Sequence, residues 1–183
     1  MSAKPTDILK EEHKVILLVL GAAEAESLRI QAGGRANAEK VGQMVDFLRS
    51  FADRCHHAKE EKLLFVKMAE RGMPVEDGPI AVMLQEHDQG RARVRAVAAA
   101  IPQAGEGDFA AATAVRTNLL AFVQLLRQHI SKEDNILYPM ADQLLSAADQ
   151  EALGRAFEKV EAEEMGPGFH EKYHKLAHEV AGR

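Results

Sequence analysis

Two stretches of this chain carry one ten-residue pattern. They are His56-His57-Ala58-Lys59-Glu60-Glu61-Lys62-Leu63-Leu64-Phe65 and His129-Ile130-Ser131-Lys132-Glu133-Asp134-Asn135-Ile136-Leu137-Tyr138. Both read His-x-x-Lys-Glu-acidic, followed by an apolar pair and an aromatic residue, and they lie 73 positions apart. Two Glu-His doublets, Glu12-His13 and Glu86-His87, repeat with an offset of 74. The chain is therefore a His … His-x-x-x-Glu unit used twice, and the fold must bring the two units into equivalent places.

The residues around this repeat are helix formers. Ala, Leu, Glu, Arg and Gln dominate, aromatics are 5%, Trp is absent, and no long stretch alternates with period two. Breakers divide the chain. A first helix starts near Thr6-Asp7 after Pro5 and ends before Gly33-Gly34. A second runs from about Asn37 to Arg71 and stops at Gly72. A third begins after Gly78-Pro79 and ends at Ile101-Pro102, with residues 102–107 as a linker. A fourth runs from about Asp108 to Leu145, with a bend expected at Pro139. Ser146 and Asp149 form a capping-box pattern for a fifth helix, which Gly166-Pro167-Gly168 ends, and a short sixth follows. The expected fold class is all-α: an up-down-up-down four-helix bundle over residues 1–145, with a C-terminal helical extension, 146–183, packed on it.

At about 100° per residue, positions i and i+4 share a helix face. His129 and Glu133 then fall within an apolar stripe of Val115, Phe122, Leu125, Leu126, Ile136, Leu137 and Met140. His56 and Glu60 border Val45, Ala52 and Leu63. His57 and Glu61 fall beside Gln43, Asp46, Ser50 and Arg54 and read as surface residues, as does Asp134. His87 aligns with Ile80, Met83, Leu84 and Val94, and His13 with Leu9, Ile16, Leu17 and Leu20. Four imidazoles and two carboxylates thus face the bundle interior. A buried carboxylate needs a counter-charge, and the pattern offers few inward cations, of which Arg91 is one. A pair of di- or trivalent metal ions is the simplest partner. Imidazole and carboxylate donors without thiolate suit iron or manganese, and zinc less well.

The combination His13 … His56-x-x-x-Glu60 … His87 … His129-x-x-x-Glu133 resembles the hemerythrin-like, HHE cation-binding family over roughly residues 6–145. The resemblance implies two non-haem iron ions joined by an oxo or hydroxo bridge. His13, His56, His87 and His129 would be terminal ligands, and Glu60 and Glu133 bridging carboxylates. Two positions depart from the oxygen-carrying members. Arg91 stands where they place a second histidine on helix three, and Glu133 where they place aspartate. This argues against reversible oxygen transport and toward a protein that binds or processes O2, NO or H2O2 as a sensor or scavenger. The alternative is an iron-handling or regulatory metal-binding module without catalytic turnover. A ferritin-type carboxylate oxidase is disfavoured, because it uses Glu-x-x-His rather than His-x-x-x-Glu.

The remaining features set the frame. Net charge is −5, which disfavours nucleic acid as partner. The longest apolar run, Val15 to Ala23, is too short for a membrane span, and its flank carries no net positive charge for a signal peptide. The single cysteine, Cys55, excludes an internal disulfide and suits the cytoplasm. It reads as a small buried hydrophobe. Met44, Met68, Met83 and Met140 read as core, and the acids of residues 158–164 as a solvated face. His170, His174 and His178 recur every four residues, and His170 or His174 could fold back as a further ligand, with Tyr173 nearby. The expected partners are a small diatomic ligand or peroxide, with no nucleic acid and no membrane; a homodimer is compatible with the pattern.

Overall fold

The structure, a computed structural model, describes residues 3–33 and 35–182. It is 87% helical, and no strand occurs among the described residues. Helix one is Pro5–Gln31. Pro5 occupies its first turn, where a missing N–H costs nothing, and Lys4 is the capping residue. Thr6 Oγ1 instead donates to Asp142 Oδ1 at 2.8 Å, tying the start of helix one to the end of helix four. Helix two is one helical run over 38–70, capped by Asn37 Oδ1, which accepts from the Lys40 N–H at 3.0 Å. Two parts of it, Leu48–His57 and Glu60–Leu64, are wound as π-helix.

Helix three is Pro79–Glu106 and passes through Pro102 instead of ending there. Proline removes one N–H and disfavours the preceding turn, but the last turn is held by Ala104, which is buried. The helix ends at Gly107, whose φ of 99° supplies the left-handed cap. Helix four is Phe109–Leu144, with Asp108 as its cap and a π-helical turn at Glu133–Leu137. Pro139 directly follows this wide turn, at the start of the Tyr138–Leu144 segment, and does not break the helix. By length and composition alone this helix could cross a membrane, a property that counting uninterrupted apolar runs does not detect. In the bundle its Leu119, Phe122, Val123 and Leu126 are core residues.

Helices one to four form a closed ring of neighbours: one against two, two against three, three against four, and four against one. Helix five (Ala147–Lys159) starts at the Ser146–Asp149 capping box and continues into a wide turn, Val160–Met165. Gly166 and Gly168 both take positive φ and turn the chain into helix six, Phe169–Ala181, which lies on helices one and two. Two apolar clusters fill the interior. One contains Val19, Phe47, Phe51 and Leu119; the other contains Leu9, Leu64, Met68 and Phe157. Ile136, Met140 and Leu17 are exceptions to the sequence expectation, at 54%, 37% and 40% exposure. The π turn at 133–137 changes the rotation per residue, so Leu137 stays inward, Tyr138 joins it, and Ile136 and Met140 turn toward solvent.

Helix five packs through Phe157, which is fully buried beneath the Lys59 ammonium. Phe157→Ala is expected to lower the unfolding free energy by about 3–5 kcal/mol, and Glu163→Ala by less than about 0.5 kcal/mol. Chemical denaturation of both variants checks this; equal, small effects would mean that helix five is not part of the cooperative core.

Candidate metal centre

Between the two apolar clusters lies a layer of buried polar side chains. His13, His56, His57, Glu60, His87, His129 and Glu133 are all less than a tenth exposed. The structure gathers them into two adjoining groups. His13, His56, Glu60 and Glu133 each offer one donor atom within 4.8 Å of the others, and so do His57, Glu60, His87 and His129. His13 Nε2 and His56 Nε2 are 3.1 Å apart, and His87 Nε2 and His129 Nε2 are 3.0 Å apart. Glu133 spans the groups, with Oε2 3.2 Å from His13 Nε2 and Oε1 3.1 Å from His129 Nε2. Glu60 Oε2 lies 3.7 Å from His56 Nε2 and 3.4 Å from His87 Nε2. All six residues singled out from the repeat are therefore together.

The Nδ1 atoms face outward, each toward a carboxylate. His13 Nδ1 meets Asp134 at 2.8 Å, His56 Nδ1 meets Glu12 at 2.8 Å, His87 Nδ1 meets Glu61 at 2.7 Å and His129 Nδ1 meets Glu86 at 2.9 Å. A carboxylate accepting from Nδ1–H fixes the tautomer and leaves the Nε2 lone pair pointing inward. The arrangement obeys the repeat. Each Glu-His doublet supplies an inward imidazole and an outward-directed carboxylate for the neighbouring helix. Each Glu-acidic doublet does the same with two carboxylates. Lys59 and Lys132 are equivalent too: Lys59 donates to Glu12 and Glu161, and Lys132 to Glu86.

No lysine or arginine reaches the inner carboxylates among the described residues. Arg91, an inward cation expected from the sequence, binds Asp53, Glu61 and Asp88. Glu60 Oε1 accepts from the buried Tyr138 hydroxyl at 2.6 Å. Glu60 Oε2 and both oxygens of Glu133 have no hydrogen-bond donor in adequate geometry. Leaving charged oxygens buried and unpaired costs several kcal/mol each. Their lone pairs converge with those of the Nε2 atoms. Two nitrogens bound at right angles to one ion, at about 2.1 Å, lie about 3 Å apart, which matches both Nε2 pairs. The donor set fits metal ions.

The protonation balance points the same way. Burial and the neighbouring Glu133 push Glu60 well above the usual carboxylate range. Glu133 is held well below it: burial opposes its charge, but His129 and His13 outweigh that. Burial disfavours a charge on His13, yet Asp134 and Glu133 raise its pKa to about 9. Burial takes His56 down to about 4 and His57 well below its ordinary value. With protons as the only counter-ions, the layer holds them unevenly; a metal ion would replace them.

The sequence reading missed three parts of this site. His57 was expected on the surface but is buried, its ring stacked on His87 at 3.8 Å between centroids. Glu61 and Asp134 were expected on the surface and instead orient His87 and His13. For His57 the reason is local: residues 48–57 are π-helical, each residue turns less, and His56 and His57 both stay on the inner side, whereas Glu61 and Asp134 are held by histidines of neighbouring helices. Tyr138 was visible only as the aromatic end of the repeat. Conversely, the C-terminal histidines do not join the layer. His170 lies 3.3 Å from Glu161 and 3.8 Å from Cys55 Sγ, His174 and His178 are exposed, and Tyr173 donates to Asp46. Glu161 is thus a partner of Lys59 and His170 and not a freely solvated acid. Burial pushes the Cys55 thiol up to about 12, which keeps it protonated and unreactive.

Comparison with known proteins agrees with this geometry. Residues 4–141 match the hemerythrin HHE cation binding domain. The chain is 25% identical over 174 residues to uncharacterized proteins of Mycobacterium bovis and Mycobacterium tuberculosis, covering 94% of this chain and 67% of theirs. No solved structure matches significantly. The chain belongs to the hemerythrin HHE cation-binding domain family.

Proposed function

We propose that His13, His56, Glu60, His87, His129 and Glu133 hold two iron ions, and that the centre binds or processes a small oxidant such as O2, NO or H2O2, as a sensor or scavenger. The observation that carries this is the pair of buried carboxylates with three unpaired oxygens, facing four imidazoles whose outer nitrogens are each fixed by an acid. His13 and His56 would serve one ion, His87 and His129 the other, and the two carboxylates both. Bound iron would supply Lewis-acid and redox chemistry. The chain's own part is to orient the imidazoles, neutralise the outer carboxylates with Lys59, Lys132 and Arg91, and exclude bulk water with two apolar clusters. Tyr138, donating to Glu60 Oε1, would hold that carboxylate in position. A cavity of about 380 Å³ between helices two, three and four ends against His57 and Glu86, and its volume would hold a molecule of this size. The cytoplasm is the compartment we assign, on the one unpaired thiol.

Three outcomes are expected. Elemental analysis after anaerobic iron loading should give about two irons per chain, as a paired site requires, with an absorption spectrum that shifts on adding azide or NO. A loaded centre blind to both would leave metal binding without oxidant handling. Glu61→Gln should weaken iron binding about 10–100-fold in chelator competition, because it loosens His87, whereas Glu163→Gln should not. Iron affinity should also depend on pH. His13 keeps its proton below its pKa of about 9, and the metal must displace it. The association constant should therefore rise about tenfold per unit between pH 7 and 8.5 for each proton released. A flat profile there would contradict a ligand role for His13.

A further inference from the structure

We propose that His57 is a fifth imidazole donor, serving the metal position formed by His87, His129 and Glu60, so that the two positions are unequal. The inference rests on the metal reading above and adds to it.

His57 is built like the four other imidazoles of the layer. It is buried, and one of its nitrogens lies within 4.8 Å of donor atoms from Glu60, His87 and His129. Its Nδ1 faces Asp53 Oδ1 at 3.4 Å, so this ring too has an acid on the outer nitrogen and a lone pair left for Nε2. Arg91 holds that acid in place. Its guanidinium donates to Asp53 at 2.9 Å and to Glu61 at 2.7 Å, and so braces the carboxylates behind both His57 and His87. The π-helical winding of residues 48–57 is what lets His56 and His57 point into the same layer, one toward each group.

The internal repeat breaks at this position. Seventy-three residues on from His56 and His57 stand His129 and Ile130, and Ile130 is a core residue. The position beside His13 and His56 therefore receives no equivalent ring. Three imidazoles on one metal and two on the other would leave more open coordination at the His13–His56 position. The ring of His57 also forms part of the wall of the 380 Å³ cavity, with Glu86, Gly90, Arg91 and Phe122. Removing the ring would open the metal position to a small molecule entering from that cavity.

The test is X-ray absorption and Mössbauer spectroscopy on the iron-loaded chain, with His57→Phe and His57→Ala. The expected wild-type result is five imidazoles per iron pair and two inequivalent iron sites. Phenylalanine keeps a ring on His87 without a donor, so His57→Phe should lose one imidazole while the thermal transition stays cooperative. His57→Ala should lose the same imidazole and regain it when free imidazole is added. Two irons bound by four imidazoles in the wild type, or variants spectroscopically identical to it, would overturn the role of His57 and leave the six-residue centre intact. Failure of the wild type to take up iron would overturn the reading on which both rest.

Discussion

Two carboxylates placed in the middle of an apolar bundle are the constraint to which the rest of the molecule answers. Glu60 and Glu133 are fully buried and have three oxygens without a donor. In a low-dielectric interior such groups must be protonated, paired with a cation, or bound to metal. The nearby lysines and arginine are not directed at them. They are spent one step further out, on Glu12, Glu86, Glu61 and Asp53. This division makes the interior a site for an external cation and not a closed network of ion pairs.

The layered arrangement follows from how helices present consecutive residues. A doublet such as Glu12-His13 cannot aim both side chains at one point on a regular α-helix. One turns inward and the other reaches across to a histidine of the adjacent helix, so each helix orients the ligands of its neighbour. Where the Glu-acidic doublets occur, both helices widen into π turns, Glu60–Leu64 and Glu133–Leu137. Such turns recur where side chains must be re-aimed at a functional site. The same feature extends through residues 48–57 in helix two alone, and there the near-twofold symmetry of the layer is lost.

The C-terminal helices complete the surroundings of the first half of the repeat. Lys59 is fully buried because Phe157 and Glu161 from the helix five segment cover it. Its equivalent, Lys132, has no such cover and stays partly exposed. Burial strengthens the Lys59–Glu12 pair by removing competing water. The carboxylate behind His56 is accordingly held more firmly than the one behind His129. The extension thus acts on the centre by shielding, without contributing any of its own histidines to it.

By itself the sequence determined the all-α class, the positions of most helix ends and the six residues of the inner set. It did so because caps, glycines and a 73-residue repeat are local or periodic signals, legible without coordinates. Even His56 and Glu60 were found by assuming an even 100° step, which happens to place them inward whether or not the helix widens. The tertiary structure decided what that step cannot express. It turned His57 inward, set Glu61 and Asp134 behind histidines of other helices, and moved Ile136 and Met140 out to solvent. It also carried helix three through Pro102 and directed His170 to Glu161. For His57, Glu61, Asp134, Ile136 and Met140 the outcome depends on a partner more than twenty residues away or on a change in helical winding. Neither is encoded in the spacing of a single segment, because both are set by the free energy of packing the whole bundle around its buried charges.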